Sequence, residues 1–378
     1  MDILVIGSGI TGATIARILA EKGNNVTIWE RRNHIGGNMY DYVDEYGILV
    51  HKYGPHTFHT SKRYLYDFVL KYSEWIDYKL VCGAKIDDKI VSVPFNFHTI
   101  DTFYNKDESK FLKQKIKEEF GERKKITVFE ALNSKCDLIK VYANFLFEKD
   151  YKPYTSKQWG IPLDKIDVSI FQRVPLNLSY ENGYFDDKFQ IMPKISYSYF
   201  FKNLLQHKNI KVVLNKDALD SLRIIGNNIS LYGNKITIPV IYTGALDELF
   251  GYKYGKLPYR TLEFEWRHEN IESKQPFPVV AYPFECYTRI TEYKKLPYQK
   301  VQGTSYALEY SLEYNKEKGH EPYYPVLTQD SSYIYEKYKQ ESKFVKNLYP
   351  VGRLANFKYY NMDQALEQAL KVMKCLKI

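Results

Sequence analysis

Cysteine is scarce. The chain has four in 378 residues, Cys82, Cys136, Cys286 and Cys375, far apart and with no CxxC pair. That spacing excludes a disulfide framework and the common zinc sites, and it suits a reducing cytoplasm. Long apolar runs are missing as well. None approaches the ~20 residues that a membrane-spanning helix needs. The apolar start is preceded by Asp2, has no basic stretch and is interrupted by glycines, so it does not read as a signal peptide. No internal repeat, low-complexity tail or Gly/Ser linker occurs. These absences lead us to expect a soluble, cytoplasmic protein with no membrane span. A basic block is lacking too: the net charge of +9 comes from 54 basic and 45 acidic residues that are interleaved along the chain. Dispersed charge argues against nucleic acid and membrane surfaces as partners and leaves an anionic small molecule. The 36 tyrosines fit a composition also rich in Lys, Ile and Asn, and only a few are given a role below.

What is present begins at the N-terminus. "DILVIGSGITGATIARILAEKGNNVTIWE" reads as strand, tight turn, helix, strand. Gly7, Gly9 and Gly12 form GxGxxG: a sharp turn, room for amides beside a pyrophosphate, and close helix–sheet packing. Glu30 ends the second strand, where a carboxylate accepts from a ribose diol and repels a 2′-phosphate, which disfavours NADP. "RRNHIGGN" follows directly, so cations and a second glycine pair lie beside the acid. The pattern fits a ligand longer than NAD, and FAD is the expected cofactor. Either Arg31 or Arg32 contacts it near the adenosine and phosphate, with Arg31 preferred. Gly36, Gly37 and Asn38 lie where backbone approaches the ribityl chain.

Two later segments extend this unit. "IPVIYTGALDELFG" (238–251) is a strand running into a glycine. In 349–372 a strand precedes Gly352–Arg353 and a strong helix with Leu366, Ala369, Leu370 and Met373 on one face. Asn361 is expected to cap that helix, with Gln364 in capping-box position. Between these segments, Leu65, Phe68, Val69 and Tyr72 have helical spacing. "AKIDDKIVSV" reads as a hairpin about Asp87–Asp88. Residues 110–150 read as two or three helices marked by Phe111, Leu112, Ile116, Val128, Leu132, Leu138, Val141 and Phe145. Residues 256–306 are strand-like, and "LEFEW" alternates as an antiparallel strand does. The fold class is α/β: a discontinuous Rossmann-like FAD-binding domain (1–65, 200–255 and 335–378), a small helical domain (100–175) and an antiparallel sheet domain for substrate (66–99, 176–199 and 256–334).

A set of ordered motifs then becomes specific: "YGPHTFHT" (53–60), "VPFNF" (93–97), "YTSKQWG" (154–160), "RVP" (173–175), "YFDDKFQIMP" (184–193), "YRTLEFE" (259–265), "TRITEYK" (288–294), "YYPV" (323–326) and "GRLANFKYYNMDQA" (352–365). From end to end the chain resembles the bacterial UDP-galactopyranose mutase family. The resemblance implies a redox-neutral isomerase that interconverts UDP-galactopyranose and UDP-galactofuranose. It implies attack by N5 of reduced FAD on the anomeric carbon while UDP departs. No Ser/His/Asp set is evident, consistent with a nucleophile that belongs to the cofactor. By motif match, Arg173 and Arg289 clamp the diphosphate, and His56 lies beside the isoalloxazine. Tyr151, Tyr154 and Trp159 line the uridine and substrate cleft, and Tyr184, Tyr323 and Tyr359 the diphosphate and sugar region. Tyr324 and Tyr360 replace their neighbours if the register slips by one. His59 is a sugar contact. Gly352, Arg353, Asn361 and Met362 belong to the cofactor side, with Arg260 either there or a plain strand arginine. Neither His56 nor His59 has supporting ligands for a metal. A reductant such as NAD(P)H and a homodimer are implied too. Where the family is expected to read "YYDM", this chain has "YYNM", and 307–322 fits no motif. The alternative, a flavin oxidoreductase of the amine-oxidase type, explains residues 1–60 and the C-terminal helix but not the arginines, tyrosines or "YTSKQWG". A third reading is a nucleotide-sugar-binding protein without activity.

Overall fold

Asp2–Ile6 is almost continuously apolar, so both of its faces need cover. In the computed structural model, which describes residues 1–160 and 174–375, this strand is the centre of a five-stranded sheet. The order is Ile210–Val213, Asn25–Trp29, Asp2–Ile6, Val240–Tyr242, Leu348–Pro350, with every junction parallel. Ile3, Val5 and Ile241 pack on one face with the helix Ile10–Glu21 and with Leu366, Ala369 and Met373 of the C-terminal helix. Leu4, Ile6, Val240 and Tyr242 face a second core that contains Leu222, Ile229 and Tyr338. The unit is Rossmann-like and discontinuous in sequence, as expected. Its glycine-rich turn sits where strand order reverses between Asn25–Trp29 and Val240–Tyr242, the usual place for a ligand in such sheets.

One expected boundary moves. The helix Arg63–Leu70 buries Leu65, Phe68 and Val69 in the same core as Ile191, Met192, Tyr197 and Phe200. A three-stranded antiparallel sheet, Phe58–Thr60, Phe189–Pro193 and Trp75–Asp77, ties these segments together. Much of 66–77 and 189–199 therefore packs with the parallel-sheet unit and not with the substrate sheet.

The second sheet has seven strands in the order Tyr324–Pro325, Tyr259–Glu269, Thr304–Glu313, Arg289–Glu292, Val279–Ala281, Cys82–Ile86, Lys89–Val93. All junctions are antiparallel except that of Val279–Ala281 with Cys82–Ile86, so the sheet is mixed and not wholly antiparallel. The hairpin forms at Asp87, whose φ is 51°. Against this sheet pack the helices Phe97–Phe103, Lys106–Phe120, Val128–Leu132 and Asp137–Leu146. Asn96, Asn105 and Thr127 open three of them with capping boxes. A π-helical turn, Phe147–Tyr151, then leads into the helix Lys152–Trp159. The extra residue per turn brings Asp150 and Tyr151 to the interior side, both buried. Among the described residues no helix is long and apolar enough to cross a membrane.

Candidate active site

A single cavity of about 830 Å³ joins the two units. Its first end is the glycine-rich turn. Gly7 has φ +97°, and a Cβ on Gly12 would overlap the Gly7 carbonyl, so neither position takes a side chain. A Cβ on Gly37, itself at φ +57°, would lie 2.9 Å from the Gly9 Cα. The two glycine motifs therefore pack directly against each other and give the cavity one continuous stretch of bare backbone wall. Glu30 braces the turn: Oε2 accepts from Ser8 N–H at 2.9 Å and Ser8 Oγ at 2.7 Å. Its Oε1 accepts from Arg32 N–H at 3.0 Å and keeps a lone pair for a ribose hydroxyl. Arg31 and Arg32 both line the wall and both pair with Glu321; Arg32 also donates to Asn38 Oδ1 at 2.9 Å and lies over the Tyr53 ring. Glu321 comes from the segment that fits no motif.

Further along are His56, Arg353, Asn361 and Met362, all at the wall. Burial lowers the pKa of His56 to about 4, with Arg353 and Arg289 adding to the effect against the Gly54 carbonyl. The ring is neutral at pH 7. Its Nδ1 is 2.8 Å from Gly54 O, which only accepts, so Nδ1 carries the proton and Nε2 keeps a lone pair. Burial lowers the pKa of Arg353 as well, against Tyr359, Tyr324 and Tyr323, and among the described residues no carboxylate forms an ion pair with it. An unpaired guanidinium on a cavity wall is a place for an anion. Asn361 N–H donates to Gln364 Oε1 at 3.0 Å, one half of the expected capping box, while Gln364 N–H is taken by Asp363. His59 Nδ1 donates to Asp187 Oδ2 at 2.7 Å, and the ring stacks on Phe185.

The middle of the cavity is built on the second sheet. Arg289 and Glu309 are direct cross-strand partners. Arg289 Nε and Nη2 donate to Glu309 Oε2 at 2.8 and 2.7 Å, and Glu309 is 1% exposed. Burial opposes the Arg289 charge, but Glu309 more than offsets it and raises the pKa above its ordinary value. Tyr154, Tyr184, Tyr323, Tyr324 and Tyr359 surround it, and burial pushes the first four up, so their hydroxyls stay neutral donors. Trp159 stands 5.6 Å from the Tyr324 ring and 6.5 Å from that of Tyr359. Tyr151 also reaches the wall, with its hydroxyl donated to Val174 O at 2.9 Å. Gln158, not singled out from the sequence, donates to the Tyr324 hydroxyl.

Every site residue expected from the sequence and described here lines this one cavity, except Arg260. Arg260 donates to Ser311 Oγ and O at 3.2 and 2.7 Å and lies against Gly160. It is a strand arginine that locks the end of the helix Lys152–Trp159 to the sheet, and it does not reach the cavity. Arg173 lies outside the described residues. The wall residues that sequence reasoning missed include Asp150, Lys216 and Asp217, outside every motif named above, and Glu248, inside 238–251 but not picked out there.

The residues fit a flavin dinucleotide: paired bare backbone, a ribose carboxylate, and an unpaired arginine beyond it. Known proteins agree. The UDP-galactopyranose mutase family pattern matches residues 149–359, and that of an NAD(P)-binding Rossmann-like domain matches residues 5–72. A UDP-galactopyranose mutase of Mycoplasma pneumoniae is 33% identical over 98% of this chain and 94% of its own. A dTDP-fucopyranose mutase of Escherichia coli is 36% identical over 98% and 96%. A flavin-containing amine oxidase A of Sus scrofa is 42% identical, but over 13% of this chain only. The solved structure of a reduced UDP-galactopyranose mutase superposes with a TM-score of 0.72 over 100% of this chain and 94% of that one, at 14% identity, a likeness of fold. The chain is a flavin-dependent mutase and belongs to the UDP-galactopyranose mutase family.

Proposed function

We propose that this chain interconverts UDP-galactopyranose and UDP-galactofuranose, with FAD as its flavin and a reductant such as NAD(P)H to prime it. The observation that carries the reading is the continuity of the cavity, from the double-glycine cradle to Arg289 and its tyrosines. Gly9, Gly37, Glu30, Arg31 or Arg32, and Arg353 would hold the cofactor. When bound and reduced, the flavin supplies the nucleophilic nitrogen, N5, for displacement at the anomeric carbon.

The chain's own residues do the rest. The diphosphate gains charge as the C1–O bond breaks, and Arg289 meets that charge with a guanidinium already fixed by Glu309. The buried tyrosines keep their protons and donate neutral hydrogen bonds to the same oxygens. Neutral His56 offers Nε2 as an acceptor on the flavin side. Tyr154, Trp159, Tyr323 and Tyr324 close the middle of the cavity against water, which protects an activated sugar from hydrolysis. Protein reduced with dithionite under anaerobic conditions is expected to convert UDP-galactofuranose to the pyranose, and oxidised protein to be nearly inert. Equal turnover in both states, read by chromatography, overturns the nucleophile assignment. The 36% identity to a dTDP-fucopyranose mutase supports a second substrate, dTDP-fucopyranose, to be run in the same assay.

A further inference from the structure

Asp150 is 6% exposed and lines the cavity, yet among the described residues its Oδ1 has no hydrogen-bond partner. Leaving a buried carboxyl oxygen unsatisfied costs free energy unless something arrives to pair with it. The π-helical turn that holds Asp150 packs on the strand Cys82–Ile86, and around this end stand Cys82, Val279 and Ala281. The order along the cavity follows from the sheet. On the cradle side, Arg32 lies over the Tyr53 ring, which is 6.2 Å from that of Tyr323, beside the edge strand Tyr324–Pro325. Arg289 is three strands in from that edge, and Cys82–Ile86, against which the Asp150 turn packs, is two strands further. Asp150 thus lies beyond Arg289, on the side away from the glycine cradle. A nucleotide sugar whose diphosphate is on Arg289 and whose sugar faces the flavin must extend its base toward Asp150.

We propose that Asp150 reads the Watson–Crick edge of a pyrimidine-2,4-dione base, pairing with its N3–H and an adjacent carbonyl, while Tyr154 offers its ring face. The inference rests on the nucleotide-sugar reading above. Uracil and thymine both present acceptor, donor, acceptor along that edge. A carboxylic acid matches them with one acceptor and one donor, and a carboxylate with the acceptor alone. Burial pushes the Asp150 carboxyl up to about 7 against the pull of Lys157, so the acid form is populated at neutral pH. The edge does not distinguish uracil from thymine, so the residue suits UDP and dTDP sugars alike.

The test is calorimetric titration of the flavin-loaded protein with UDP, dTDP and N3-methyl-UDP. UDP is expected to bind about tenfold to a hundredfold more tightly than N3-methyl-UDP, the loss of one or two buried hydrogen bonds. The uracil and thymine sources are told apart by the UDP-to-dTDP ratio. Asp150→Asn, whose amide offers the same acceptor and donor, keeps the discrimination against the methylated base, and Asp150→Ala abolishes it. Equal binding of UDP and N3-methyl-UDP to the unaltered protein overturns the role of Asp150 and leaves the mutase reading standing. Failure of UDP itself to bind overturns both.

Discussion

At the scale of single residues, the decisive pair is Arg289 with Glu309. Glu309 is 1% exposed, and a buried carboxylate that loses its guanidinium is left without compensation. Removing the guanidinium therefore has two consequences, one for catalysis and one for folding. Arg289→Ala is expected to lose roughly 2.7–4 kcal/mol of transition-state stabilisation, as when an oxyanion donor is removed. It should also lower stability by about 3–5 kcal/mol, because Glu309 is left as an uncompensated buried charge. Adding Glu309→Gln to Arg289→Ala should restore most of the thermal midpoint and none of the turnover. Recovery of turnover in the double variant would remove Arg289 from the reaction. Gly37 carries a separate prediction. Its left-handed φ of +57° alone costs an L-residue about 1–2 kcal/mol, and a methyl there would press on Gly9. Gly37→Ala should purify with little bound flavin, read from the visible absorbance, while Gly23→Ala, with open space around it, should keep its colour.

At the scale of elements, the C-terminal helix Met362–Cys375 is tied to the helix Arg63–Leu70 by one carboxylate. Glu367 accepts from Lys62 at 2.7 Å and from Tyr64 at 2.6 Å, with Lys371 at 3.3 Å. The Lys62 hydrogen bond, then that of Tyr64, lowers its pKa to about 2. A folded pKa below the ordinary value of 4.5 means that the stabilisation is present above pH 4.5 and is lost as pH falls toward 2. Glu367→Gln should therefore unfold at a lower temperature at pH 6, by an amount worth about 0.5–1 kcal/mol, and the gap should close by pH 2. A gap that is constant with pH would assign the effect to packing. Most elements were legible in the sequence for local reasons: Leu65, Phe68 and Val69 mark one helix face, and Asp87–Asp88 marks a hairpin. Periodicity was less reliable about which face is inward. Phe111 and Val141 belong to apolar patterns, yet they are 52% and 61% exposed. A helix buries only what its neighbours cover, and periodicity does not say which neighbours those are.

At the scale of the whole molecule, the limits of the sequence are those of topology. The motifs named nearly all of the cavity wall because each holds a residue type whose chemistry is recognisable alone. They did not say that Val279–Ala281 runs parallel to Cys82–Ile86, nor that Glu321 returns to Arg31 and Arg32. Arg260 shows the same limit. It shares a strand face with Leu262, which does reach the cavity, but it ends one pleat short, under Gly160. Alternation gives the face and not the height along it. The arrangement as a whole has a thermodynamic consequence. Residues 7–38 and 352–362 wall the cavity from the parallel-sheet unit, and residues 82–83 and 279–289 wall it from the seven-stranded sheet. A cofactor seated between them binds the folded state alone and adds to a seam that Glu321, with Arg31 and Arg32, and Tyr259, in the core of Leu4 and Ile6, already bridge. FAD at about a hundred times its dissociation constant should add ~2.7 kcal/mol to stability. Calorimetry of protein stripped of flavin should show a lower and broader transition, and restoring FAD should raise it and sharpen it into one. A midpoint that ignores FAD while the parallel-sheet unit is demonstrably folded would mean that the double-glycine cradle is not the flavin site.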